Sequence, residues 1–317
     1  MIVDAFTHIY PAEYVKYIQR LDRPLPVFFQ DAPHFVEAEA KLAEMDRNNI
    51  DVQVLALGTP AFDELFGPDQ AGGARDAART ANDGIAAVVA KHPDRFVGVA
   101  TLPLVGPASL DAALDEFDRA VRHLHMKGVQ LYTNVAGAPL DRAEFLPLYE
   151  KAVEYDLPIL LHPTGGQDNP QARDYLLWLT FGWPFETSLA MARLAYSGVL
   201  ERFPQLKILT HHLGAFVPHT AERIKGVTCT LERTSGWKLP RPILTYFKQF
   251  YGDTAVNGHR PALDSGYEFF GASHILFATD YPFVSVAPTL KSILEWELPE
   301  DEKALILGGN ARSLFRL

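Results

Sequence analysis

Four side chains with metal-ligating or proton-carrying chemistry are scattered along the chain, and each ends a short apolar run. His8 follows Met1–Phe6. His162 closes Leu160-Leu161-His162, His211 closes Ile208-Leu209-Thr210-His211 with His212 behind it, and Asp280 closes Phe277-Ala278-Thr279-Asp280. Imidazole and carboxylate are good ligands for zinc, and a catalytic zinc usually takes three protein ligands and keeps one position open. Manganese and iron accept the same donors. A water held there can ionise near neutral pH. Singly, each residue has a plainer explanation: a polar group satisfied at a strand end, or for Asp280 a cap on the following helix. Their recurrence at the ends of four strands argues that they converge.

The elements that would bring them together are legible as a pattern. Eight runs of five to seven mostly apolar residues recur at Met1–Phe6, Val52–Leu57, Phe96–Thr101, Gly128–Tyr132, Pro158–His162, Lys207–His211, Gln249–Asp253 and His274–Asp280. Unbroken rather than alternating runs suit strands buried on both faces of a parallel sheet. Helical ladders lie between them. Leu110, Leu114, Phe117, Val121 and Leu124 share one helix face, as do Ala78, Ala81, Ile85 and Val88, and again Phe145, Leu148, Ala152 and Tyr155. Strands alternating with helices predict an α/β protein, either a doubly wound sheet or a closed barrel. Eight strands, with polar residues gathered at their C-terminal ends, favour a single (β/α)8 TIM barrel over residues 1–317, whose site lies on that face. Two long segments, Asp22–His34 and Thr164–Asp174, follow strands and are expected to wall the site or simply to cross the surface. Phe28, Phe29, Trp178 and Trp183 would suit a flat substrate ring, with core packing as the competing reading. Asp253 ends the seventh run and is open to either a supporting or a structural role.

Composition narrows the partners. The 317 residues carry a net charge of −10, which disfavours phosphate backbones and anionic membranes. No apolar run approaches membrane-spanning length, and Met1-Ile2-Val3-Asp4 does not read as a signal peptide. The lone Cys229 rules out an intrachain disulfide, suits a cytoplasmic location, and reads as a small apolar residue.

Longer stretches resemble the amidohydrolase-related family that includes aminocarboxymuconate-semialdehyde decarboxylase and gamma-resorcylate decarboxylase. The resemblance is carried by His162-Pro163, Trp183-Pro184-Phe185-Glu186-Thr187, Gly198-Val199-Leu200-Glu201-Arg202-Phe203-Pro204, His211-His212-Leu213-Gly214-Ala215-Phe216, Thr279-Asp280-Tyr281-Pro282 and Gly309-Asn310-Ala311-Arg312. It implies His8, His162 and Asp280 as ligands of a divalent metal, zinc first with manganese or iron possible. It implies His211 as the catalytic acid/base, beside Asp280. The family's first N-terminal ligand falls at Phe6, and a phenyl ring cannot ligate. The implied activity is metal-dependent, non-oxidative decarboxylation of an aromatic or unsaturated carboxylic acid. The alternatives are hydrolysis of an ester, lactone, amide or C–C bond by the same metal site, and a catalytically impaired barrel that only binds a small molecule. A homodimer is implied by the resemblance alone.

Overall fold

In the computed structural model, which describes residues 1–21, 33–165 and 170–317, every one of the eight apolar runs contains a strand. They are Val3–His8, Val52–Ala56, a third strand in two pieces (Phe96–Gly98 and Ala100–Thr101), Val129–Tyr132, Ile159–His162, Ile208–Thr210, Tyr251–Asp253 and Ile275–Leu276. All neighbouring pairs among them are parallel. The third strand links the two arcs: Val99 donates to Leu55 O while Ala100 donates to Gly128 O. The ring closes where Ala5 N donates to Phe277 O and Asp280 N to Phe6 O. The fold is the expected (β/α)8 barrel.

The barrel interior is filled by Val54, Val97, Val99, Leu160, Leu209, Leu276 and Ala278, all buried. This is why the runs do not alternate: the opposite face of each strand is covered by helices and is equally dry. Among those helices, Ala71–Lys91 buries Ala74, Ala77, Ala78, Ala81 and Ile85, and Leu110–Arg122 buries Ala113, Phe117 and Ala120. Small residues let the long helix lie close. At Gly84 an added Cβ would stand 2.2 Å from Pro11 Cβ, so only glycine permits that contact.

The strand bounds differ from expectation in informative places. The first strand runs on to His8, which makes His8 a strand residue. The eighth stops at Leu276 rather than Asp280, because beyond it Phe277 N turns to Ile306 O and Asp280 N to the first strand. Cys229 is exposed on the helix Ala221–Ser235, correcting its reading as a packed apolar residue. Among the described residues no helix is long and apolar enough to cross a membrane.

Candidate active site

In a strand, residues two apart point the same way, so Phe6 and His8 share a face at the C-terminal end of the first strand. The strand's register against its neighbour shifts between Asp4 and Thr7, an irregularity of the kind that re-aims side chains at functional rims. Parallel registers bring the other strand ends level: Tyr132 lies opposite His162, and Thr210 opposite Leu161. The ligating atoms of His8, His162 and His211 all lie within 4.8 Å of one another, and so do those of His211, His212 and Asp280. Asp280 Oδ1 stands 3.1 Å from His8 Nε2 and 3.3 Å from His211 Nε2. Sequence reading singled out His8, His162, His211 and Asp280, and the barrel brings all four together.

These residues fit a cation. His8 is fully buried, yet among the described residues neither of its ring nitrogens has a hydrogen-bond partner, and His211 Nε2 is likewise without one. Both Nε2 atoms stand within 3.3 Å of Asp280 Oδ1, close enough to act as its charge partners. Nitrogen and oxygen donors that converge in a dry pocket without bonding to each other leave their lone pairs for a shared electrophile. The remaining nitrogens are anchored from behind. His162 Nδ1 is 2.7 Å from Pro163 O, which fixes its tautomer and leaves Nε2 as the acceptor. His211 Nδ1 pairs with Asp253 Oδ2, and Asp253 Oδ1 accepts from Ala255 N at 3.0 Å.

The electrostatics separate the histidines. Burial pushes His8 and His162 below the ordinary histidine value, His162 furthest, and neighbouring imidazoles add to this, so both stay neutral and able to ligate. Burial acts the same way on His211, but the carboxylates of Asp253 and Asp280 outweigh it and raise His211 to about 10. Asp280, although buried, is held well below the usual carboxylate range by His211 and His8. Burial and the charge of His211 lower His212 to about 4.

Aromatic rings complete the enclosure. The Phe6 ring, fully buried, has its centroid 4.4 Å from that of His211, 5.3 Å from His8 and 5.9 Å from His162. It fills the space beside three imidazoles with hydrocarbon. Trp183 and Tyr132 each meet His162 edge-on at 5.7 Å, Trp178 packs on Trp183 at 5.4 Å, and Phe283 meets His8 at 5.5 Å. Of the aromatic residues expected at the site, Trp178 and Trp183 are there, while Phe28 and Phe29 lie outside the described residues. Tyr132 and Phe283 were not singled out. Tyr132 ends the fourth strand, so the rule that found His162 would have found it too. Asp253, left open from sequence, supports His211 directly.

A family profile described as Amidohydrolase matches residues 3–317. The chain belongs to the amidohydrolase family. Relatives in this family include a gamma-resorcylate decarboxylase from Polaromonas sp., 32% identical over 288 residues, covering 86% of this chain and 85% of the relative. A 2-amino-3-carboxymuconate-6-semialdehyde decarboxylase from Dictyostelium discoideum is 30% identical, covering 89% and 77%. Among solved structures, a dihydroxybenzoic acid decarboxylase from Polaromonas sp. JS666, with bound manganese and the inhibitor 2-nitroresorcinol, superposes with a TM-score of 0.86 at 28% identity, covering 100% of this chain and 97% of the other. The expected family and barrel are borne out, and the relatives named above are decarboxylases.

Proposed function

We propose that this amidohydrolase-family protein is a metal-dependent, non-oxidative decarboxylase of an aromatic carboxylic acid. The observation that carries this reading is the convergence of His8, His162, His211 and Asp280 in a chain that matches decarboxylases along most of its length. His8, His162 and Asp280 would hold the ion. Zinc suits two imidazoles and a carboxylate, and the manganese of the Polaromonas structure makes that ion the second choice. When bound, the ion supplies a Lewis acid that gathers the substrate's oxygens and balances their charge.

The chain's own groups do the rest. His211 presents Nε2 to the pocket while Asp253 grips Nδ1, so the imidazole is aimed and the carboxylate behind it favours its protonated form. It delivers a proton to the ring carbon: the C–H bond forms as the C–CO2 bond breaks, its electron pair stays on the carbon, and CO2 leaves. Asp280 lies against His211 and sustains its charge. Trp183, Tyr132 and Phe283 shape an apolar slot for a flat ring and exclude water. A cytoplasmic site of action belongs to the same proposal, supported by the unpaired Cys229. So does a homodimer, supported by exposed Phe185 and Leu189 on one helix beside Phe216, whose amide bonds to Ser188 of that helix.

The test is turnover of a panel of hydroxybenzoates, gamma-resorcylate included, by metal-replete protein, with CO2 and product measured together. The expected result is one CO2 per decarboxylated product, falling about 10²–10⁴-fold in His211→Asn, the usual worth of a positioned acid. An acid consumed without CO2 would establish hydrolysis. A bound but unconverted ligand would establish a binding barrel, the reading that Phe6 favours.

A further inference from the structure

Asp280 is held at a positive φ of 65°, a left-handed conformation that costs a non-glycine residue energy and persists only where the surroundings over-determine it. Both chain neighbours of Asp280 are gripped from the barrel interior and its outer wall. On the N-terminal side, Thr279 N donates to Asp4 Oδ1 at 3.0 Å, and Thr279 Oγ1 donates to Asp4 Oδ2 at 2.7 Å. On the C-terminal side, Lys41 Nζ sits over the ring of Tyr281, 4.6 Å from its centroid. The Tyr281 hydroxyl pairs with His34 Nδ1 at 2.6 Å, its amide donates to Thr279 Oγ1 at 3.2 Å, and its carbonyl accepts from His8 N at 2.8 Å.

Lys41 is unusual in its own right. It projects from the helix Ala38–Arg47, is fully buried, and its ammonium has no hydrogen-bond partner among the described residues. A buried lysine without a partner is expensive, and packing alone would be better served by methionine or leucine. Burial lowers Lys41 to about 7 and raises Asp4, also fully buried, to about 7, and the face of Tyr281 is the contact that compensates the lysine. Asp4 holds Thr279 by two hydrogen bonds and Lys41 covers the ring of Tyr281, so each buried group secures one of the two residues that flank Asp280.

We propose that Lys41 and Asp4 are positioning residues: together they clamp Thr279 and Tyr281 and so keep the Asp280 carboxylate aimed at the metal site. The inference rests on the proposed role of Asp280 as a ligand. A cation–π contact accounts for the lysine's choice of neighbour, and a left-handed Asp280 accounts for why the clamp is needed.

The experiment compares the native chain with Lys41→Met, Lys41→Arg and Asp4→Asn by two readouts. The first is amide hydrogen exchange of residues 279–283 in metal-free protein. The second is the dissociation constant for Mn²⁺. With the clamp removed, Lys41→Met exchanges at least tenfold faster in that segment while the other barrel strands keep their protection. Its Mn²⁺ affinity falls about 10–100-fold, the usual cost of losing a group that orients a ligand. Lys41→Arg, which keeps the charge and can stack on Tyr281, restores both. Asp4→Asn repeats the effect from the other side and serves if Lys41→Met does not fold. Unchanged exchange and affinity in both variants would overturn the clamp, and so would exchange that rises equally across the barrel. Absence of Mn²⁺ binding by the native chain would defeat the metal site instead, and the exchange data would still decide on the clamp.

Discussion

Metal binding should be visible as thermal stabilisation before any substrate is known, and the size of the effect can be worked out. An ion that binds only the folded chain stabilises it by about 2.7 kcal/mol at a free concentration of 100 Kd. Unfolding entropy near the midpoint is about 2.1 cal/mol/K per residue, which over 317 residues comes to about 0.7 kcal/mol/K. The melting temperature of the stripped protein should therefore rise by about 4 °C when zinc or manganese is added to that level. His8→Ala and His162→Ala should abolish the rise, because each removes a nitrogen from a cluster in which all donors lie within 4.8 Å. Phe6→Glu is the revealing variant. Without metal it loses a fully buried ring, a change that costs about 3–5 kcal/mol, or about 5–7 °C on the same scale. With metal it gains the missing donor. A tenfold tighter site at the same ion concentration is worth about 4.1 kcal/mol, a rise of about 6 °C. Differential scanning fluorimetry across a metal titration reads all four proteins. A native chain whose midpoint does not move would refute the three-ligand site. A full rise retained by His162→Ala would place the ion elsewhere.

Two further outcomes follow from the same geometry. Asp253→Asn keeps the shape of the His211 contact but removes its charge. A hydrogen bond to a charged group is worth about 1.5–3 kcal/mol, so kcat should fall about 10–150-fold with metal stoichiometry intact; an unchanged kcat would dismiss Asp253 from the mechanism. The second outcome concerns pH. His211 is raised to about 10 in the folded chain, so the stability it contributes is complete below its unfolded value of about 6.5 and is lost as pH climbs from there through about 10. The stability gap between metal-free native protein and His211→Asn, followed by denaturant melts, should narrow across that range. A gap constant from pH 6 to 10 would mean that His211 is not held protonated.

Some of the site was open to inspection in the linear chain because barrel strands end where chemistry begins. His8, His162 and Asp253 each terminate a strand, His211 directly follows one, and Asp280 lies four residues beyond the eighth, so an apolar run followed by a polar residue was enough to nominate them. Tyr132 obeys the same rule, but a tyrosine that closes an apolar run carries no ligating chemistry to mark it out. Phe283 had no such signal: it lies in the loop after Asp280, and its place over His8 depends on how that loop folds back. The clamp was illegible for a different reason. Lys41 sits in a helix with exposed acidic neighbours and reads as a solvated charge; only its depth under the loop of Tyr281 shows otherwise.

The sequence alone determined the eight-strand plan, the helices between, the conflict at Phe6 and the set of residues able to hold an ion. These depend on local apolarity and residue chemistry, which the chain states directly. The tertiary structure decided what those residues do to one another: that Asp253 rather than solvent faces His211, that the nitrogens of His8 find no hydrogen-bond partner among the described residues, and that Asp280 is bent into a left-handed turn whose flanking residues are held by Asp4 and Lys41. Such facts turn on a few tenths of an ångström between elements far apart in the chain, and only barrel closure brings Asp4 within 3.0 Å of Thr279.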